Sequence, residues 1–381
     1  MEKRQIATAV LAILMASTVA TGHAEANGEV KASGEEEKNT IKLSYKLGKG
    51  LTIEDLSGDY RLDISGRIQG RFTYNALETA ADNNTLAVQR GKIKLGGHVF
   101  NKNLKYGFQM DLSTVTGGAA VLDDYYIDWT PYDYFGIQVG QFKVPFLMQF
   151  LTSSANQQFV DRALSTGFFN HGRDIGINFH GDIVKDRFKY ALFAVNGDRA
   201  NTINTNQGFM AGTRVEGSFL GKYEYSESDV NDSQEVNFGA GLSYLFHDSL
   251  NSTGAMTQSG TIPVGTKASM GTVDAGLKYK GLSIQTAAMI TRTHEGADLT
   301  NWGYNAQVGY FVVPKHLELA VKQNTTVFSN ATANQHEYSG GVNYFIKGHP
   351  LKLTADYALV MNNRGLNLND HRFRTQLQVT F

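Results

Sequence analysis

The sequence predicts an all-β chain, a transmembrane antiparallel β-barrel of about sixteen strands. Three observations predict it. From residue 60 onward apolar and polar residues alternate with period two, the spacing of strands with one apolar and one polar face. The links between these segments are short and long in turn, the habit of outer-membrane barrels. Beyond Ala26 no apolar stretch reaches the ~18 residues that mark a spanning helix. Composition agrees: 381 residues include 40 Gly, 22 Phe and 18 Tyr but 5 Pro and no Cys, a balance suited to strands and tight turns.

Lys3 and Arg4 precede an apolar run from Ile6 to about Ala20, and small residues follow, with Ala24 and Ala26 as cleavage points. This is the pattern of a secretory signal peptide, assigned to 1–24. The run is too short for a membrane anchor. Residues 25–59 are polar, carry Glu35-Glu36-Glu37-Lys38, and read as a flexible periplasmic segment. The barrel domain is assigned to 60–381.

The first strand, 60–75, sets Leu62, Ile64, Gly66, Ile68, Gly70, Phe72 and Tyr74 against Arg61, Asp63, Ser65, Arg67, Gln69, Arg71 and Thr73. Segments 87–99, 104–114, 119–130 and 135–143 follow. Beyond the longest link come 174–182, 187–196, 209–220 and 235–247, the last carrying Val236, Phe238, Ala240, Leu242, Tyr244 and Phe246 on one face. Next are 270–280, 282–293, 302–313, 315–328, 337–347 and 350–361. The final segment, 371–381, sets Phe373, Thr375, Leu377, Val379 and Phe381 against Arg372, Arg374, Gln376, Gln378 and Thr380. An even count suits a single-chain bacterial barrel.

Short links at 100–103, 131–134, 183–186, Lys280-Gly281, Pro314-Lys315 and Gly348-His349-Pro350 read as periplasmic turns. Longer ones at 76–86, 144–173, 197–208, 248–269, 294–301, 329–336 and 362–370 read as outside loops. Two fit poorly: 115–118 is short for a loop, and 221–234 is long for a turn. A soluble sandwich also has period-two strands, but it does not require links to alternate in length through sixteen strands. Here lipid covers the apolar faces, and in lipid the sheet must close. Tyr125, Trp129, Tyr132, Tyr134 and Phe135 crowd one turn, and Tyr279, Tyr344, Tyr357 and Phe381 sit near strand ends, the places of an interfacial aromatic belt.

Several stretches in order carry a family likeness. They are Gly58-Asp59-Tyr60-Arg61-Leu62 running into Gly66-Arg67-Ile68-Gln69-Gly70-Arg71, then Arg90-Gly91-Lys92-Ile93-Lys94-Leu95-Gly96-Gly97 and Asp123-Asp124-Tyr125-Tyr126-Ile127-Asp128-Trp129. Gly140-Gln141-Phe142-Lys143-Val144-Pro145-Phe146, Thr152-Ser153-Ser154, Phe159-Val160-Asp161-Arg162 and Arg173-Asp174-Ile175-Gly176 follow. The chain resembles the phosphate-selective porin O and P family. The resemblance implies a sixteen-stranded outer-membrane porin of a Gram-negative cell, a homotrimer, with a long third outside loop inserted in the pore. Segment 144–173 occupies that place. Thr152, Ser153, Ser154 and Asp161 are then constriction-loop candidates. Phe381, with alternating residues before it, resembles the recognition signal for the barrel assembly machinery.

Polar faces that line a lumen carry the chemistry. On them the strands place sixteen basic candidates against nine acidic ones, although the whole chain is balanced at 35 against 36. Arg61, Arg67, Arg71, Arg90, Lys92, Lys94, Lys143, Arg162 and Arg173 are the anion-contact candidates, since rings of Arg and Lys select anions and low-dielectric walls focus their field. Phosphate-selective relatives carry lysines on the inserted loop, whereas 144–173 has none, and Phe150-Leu151 stands where one is expected. The expectation is a passive porin for small hydrophilic solutes, with an anion bias and outer-membrane lipid around it. No G-x-S-x-G, H-E-x-x-H or P-loop pattern occurs, so a barrel hydrolase, a metal or other cofactor and a nucleic-acid partner find no support. The rival reading is a barrel receptor or adhesin without an open channel, drawn from the Ser-, Thr- and Gly-rich stretch 248–269.

Overall fold

A computed structural model describes residues 41–204, 207–250, 264–294, 298–329, 334–362 and 367–381. The signal-peptide assignment and residues 25–40 lie outside the described residues. Among those described, a hairpin of β1 (Ile41–Lys46) and β2 (Gly50–Asp55) precedes the barrel. The barrel comprises β3 (Arg61–Ala76), β4 (Asn83–His98), β5 (Leu104–Asp111), β6 (Val121–Tyr132), β7 (Phe135–Lys143), β8 (Arg173–Val184), β9 (Phe188–Val195) and β10 (Met210–Leu220). It continues through β11 (Asn237–His247), β12 (Ala268–Tyr279), β13 (Leu282–Thr293), β14 (Thr300–Val313), β15 (Leu317–Val327), β16 (Gln335–Phe345), β17 (Leu351–Met361) and β18 (Asp370–Thr380). These are the sixteen strands that the alternation predicts, each within a few residues.

Each barrel strand pairs antiparallel with its sequence neighbours. The sheet closes where β18 meets β3, from His371↔Ala76 to Thr380↔Arg67. Closure leaves no open edge among the spanning strands, which satisfies every ladder group without water. Large apolar side chains face outward along the wall, among them Ile68, Val139, Leu242, Val321 and Leu377. Trp129, Tyr132 and Tyr134 stand exposed at the short-turn end, where the two tyrosine rings stack at 5.2 Å.

The hairpin corrects the reading of 25–59 as flexible throughout. Ile41, Leu43, Tyr45, Leu51 and Ile53 alternate with Lys42, Ser44, Lys46, Thr52 and Glu54, but over strands of only 6 residues. β2 pairs with the start of β3 from Leu51↔Ile64 to Glu54↔Arg61. It thus continues the line of β18 beyond Phe381, whose backbone pairs with Gly66 in both directions (2.7 and 2.9 Å). Gly50 makes the splice possible: its φ is +85°, and a Cβ there would lie 2.0 Å from the carbonyl oxygen of Ile64.

The two misfit links resolve differently. β5 ends at Asp111, so the loop after it spans 112–120 and holds a short 3-10 turn, Thr114–Thr116. The β10–β11 link is as long as its spacing says, and it enters the lumen.

Segment 144–172 also lies inside the barrel, with α1 (Met148–Leu151) and α2 (Leu164–Phe169). Its aromatic residues meet an apolar inner wall: Phe146, Phe168 and Phe169 pack with Phe193, Val195, Met210, Leu245, Met270 and Met289. The reading that polar faces line the lumen therefore fails at this patch, where the inward face anchors the loop by burial. Phe169 is 1% exposed, and Gly303 leaves the space for its ring. Phe169→Ala is expected to cost about 3–5 kcal/mol of loop docking. Limited proteolysis should then cleave 144–172, while the barrel keeps its heat-modifiable migration.

Candidate functional site

The inserted segment crosses the lumen as a bar. At one end Arg67 on β3 donates to the hydroxyls of Ser153 (3.3 Å) and Ser154 (2.8 Å). Gln69 and Gln378 donate to the carbonyls of Ser154 (3.1 Å) and Ala155 (3.0 Å). At the other end Gln158 donates to Glu318 (2.7 Å) and Ser283 (3.0 Å), and Asn343 donates to its carbonyl (2.7 Å). The bar and the β10–β11 link fill the side of the lumen lined by β10–β17. A smaller cavity of about 350 Å³ lies against β8–β10, and the larger open space remains beside β3–β6.

Two cavities lie on that side. One, of about 840 Å³, opens at the short-turn end, and the hairpin forms part of its wall. The other, of about 470 Å³, opens at the long-loop end. Arg67 borders the first and Arg71 the second. Four residues of strand separate them, about 13 Å. The narrow zone lies over this span.

Three arginines converge there on one loop carboxylate. Arg71 reaches Asp161 with both terminal nitrogens (2.9 Å each), Arg90 reaches it at 3.2 Å, and Arg374 at 3.1 Å while also holding Asp356. Burial pushes the Asp161 carboxyl up, but the charges of Arg71, Arg90 and Arg374 outweigh this and hold it well below the usual carboxylate range. Beside this cluster Lys92 touches Asp111 (2.7 Å) and Asp123, and Arg173 touches Asp124 (2.8 Å) and Asp123 (3.5 Å). Two cations there meet three carboxylates.

Arg67 differs. Among the described residues it has no carboxylate partner, and its Nε is buried with no acceptor. The wider surplus of positive charge sits below it, in the larger cavity. Lys46, Lys49, Lys94 and Lys105 line that cavity with no ion pair to a described residue, while its acids are engaged: Asp63 with Arg61 (2.9 Å) and Asp128 with His180 (2.9 Å).

The structure thus brings Arg61, Arg67, Arg71, Arg90, Lys92, Lys94 and Arg173 to the open side, with Ser153, Ser154 and Asp161 opposite. It places three candidates otherwise. Lys143 donates to the carbonyls of Phe150 (2.9 Å) and Leu151 (3.1 Å). Arg162 donates to those of Gln149 and Thr152 (2.8 Å each). Both cations lie over the Phe150 ring, at 5.2 and 5.1 Å, so they brace the loop. Thr152 is buried and turns its hydroxyl to Met148 (2.9 Å).

Asp123 was missed because strict alternation sends it outward beside Asp124. A bulge at Gln109/Met110 turns both inward. The hairpin lysines were missed with the hairpin. Among the described residues no group of His, Asp and Glu has metal-site spacing.

The barrel has known counterparts. An anion-selective porin from Comamonas acidovorans aligns over 84% of this chain and 99% of its own, with a TM-score of 0.58 at 13% identity. The outer membrane channel DcaP of Acinetobacter baumannii covers 86% and 99%, with a TM-score of 0.58 at 13% identity. The trimer form of OmpT, an outer membrane protein of Vibrio cholerae, covers 84% and 99%, with a TM-score of 0.55 at 11% identity. At such identities the likeness is one of fold. In sequence, an uncharacterised protein of Aquifex aeolicus (strain VF5) is 23% identical over 287 residues, 67% of each chain. The family model for phosphate-selective porin O and P matches residues 62–381. A closed sixteen-stranded wall, a loop folded into its lumen and this match give one conclusion: the chain belongs to the phosphate-selective porin O and P family of Gram-negative outer-membrane porins.

Proposed function

We infer that this porin passes small hydrophilic solutes by passive diffusion and favours anions weakly. The observation that carries the bias is Arg67, a lumen-facing guanidinium with no carboxylate partner among the described residues, standing above a cavity in which Lys46, Lys49, Lys94 and Lys105 form no ion pair to a described residue. Cations so placed lower the energy of an anion along the path and raise that of a cation. The bias is weak because Asp161, Asp111, Asp123 and Asp124 offset most of the other charges in the narrow zone.

The loop offers no cation for phosphate preference, since Arg162 and, at its base, Lys143 are spent on carbonyls and Arg173 on Asp123 and Asp124. The channel needs no cofactor and performs no covalent chemistry. It works as a homotrimer in outer-membrane lipid, with Phe381 as its signal to the assembly machinery. Purified protein in a planar bilayer under a KCl gradient is expected to give a reversal potential of anion sign. Cation sign overturns the reading, and a barrel that carries no current favours the receptor alternative.

A further inference from the structure

The link between β10 and β11, residues 221–236, is out of place at an end of the barrel where other links are as short as 280–281. It folds inward from the rim, to which Asp229 and Ser233 tie it through Gly281 and Lys280. Lys278 holds it by donating to the carbonyl of Glu224 (2.8 Å) and lies over the Tyr223 ring at 4.9 Å. Ser228 donates to Glu318 (2.8 Å), and Asp229 accepts from the backbone of Gly281 (2.9 Å). Its tip is buried just inside the short-turn mouth: Glu227, Ser228 and Asp229 are 3%, 2% and 2% exposed, and Ser226 bonds to His349 of a neighbouring turn (2.9 Å).

There the tip meets the bar that crosses from the long-loop side. The backbone N–H of Glu227 donates to the carbonyl of Asn156 (2.9 Å), and the Glu227 carboxylate accepts the backbone N–H of Gln158 (2.8 Å). Asn156 and Gln158 stand two and four residues beyond Ser154, the partner of Arg67. Glu227 forms no ion pair among the described residues, and one of its oxygens is buried without a donor. The charges of Arg162, Lys278 and Lys352 stand near enough to offset its burial, while its one hydrogen bond goes to the backbone of the bar. It fixes one register of the bar.

We propose that Glu227 is a positioning residue: through Asn156 and Gln158, the periplasmic link clamps the constriction bar from below and so sets the width of the passage and the seat of Ser153 and Ser154 on Arg67. This rests on the channel reading. The strand ladders do not involve Glu227, so the barrel closes without it.

The test compares Glu227→Ala with Glu227→Gln in planar bilayers and under protease. Alanine removes the acceptor. Single-channel conductance is expected to rise about 1.5- to 2-fold with added open-channel noise, the anion preference to fall toward unity, and the bar to become cleavable in a barrel that still shows heat-modifiable migration. Glutamine keeps an acceptor oxygen without the charge and is expected to match the unchanged protein in all three. Unchanged conductance and protection in the alanine variant overturn the clamp, as does a glutamine variant as open as the alanine one. If the unchanged protein carries no current, the channel reading fails by itself, and protease protection still decides whether Glu227 holds the bar.

Discussion

Arg67→Glu is expected to turn the pore from anion- to cation-preferring. Arg67 is 9% exposed, faces the narrow zone, and is bonded to Ser153 and Ser154. A solute ion passing about 6 Å away in a medium of effective dielectric constant about 40, between ~20 for a protein surface and ~80 for water, feels about 1.4 kcal/mol per elementary charge. The substitution changes two charges. Because the anion loses what the cation gains, it therefore moves the anion-to-cation permeability ratio by about ten-thousandfold before salt screening, and by much less at 0.1 M KCl, where the screening length is about 10 Å. Arg67→Lys separates charge from geometry. It keeps the charge and gives up the paired donation to Ser153 and Ser154, so the ratio is expected to stay on the anion side while conductance shifts. If Arg67→Glu leaves the reversal potential where it was, the permeating ions do not pass this side chain.

The wall was legible in the sequence and its contents only partly so. Period two in 61–74 and 371–381 follows from lipid on one side and polar contents on the other, and the sheet obeys it. The inner apolar patch leaves a weaker trace. Residues 191–195, Ala-Leu-Phe-Ala-Val, are apolar on both faces, the mark of a strand covered twice, and Phe193 and Val195 indeed sit under the inserted loop. The misfit length of 221–234 was visible, but not its entry into the lumen, which depends on contacts to Asn156, Gln158 and Glu318 far along the chain. Lys143 and Arg162 show the limit of reading charge from composition. A bent loop exposes carbonyls that need donors, and these two cations supply them. The bulge at Asp123 shifts a carboxylate by one position, which suffices to move it from the wall's outside to its inside.

Asp161→Asn is expected to make the pore more anion-selective. One carboxylate now serves Arg71, Arg90 and Arg374. Without its charge Arg374 still holds Asp356, and Arg71 still donates to Gln376 (3.2 Å) and to the carbonyl of Val160 (3.1 Å), so the guanidinium groups stay in place with one negative charge fewer among them. By the same Coulomb estimate the anion-to-cation ratio rises about a hundredfold before screening. The Asp161 side chain is 33% exposed, so the ion it meets is partly hydrated and high salt shrinks the effect. Acid does not mimic the substitution. Because the folded carboxyl sits below its ordinary value of about 3.9, its contribution to loop docking is present above that pH and is lost only as pH falls through the lower, folded value. Reversal potentials of both proteins at pH 7 and pH 4 test this. The variant should differ from the unchanged protein at both, and equal ratios at pH 7 would show that Asp161 fastens the loop without contributing to the field along the path.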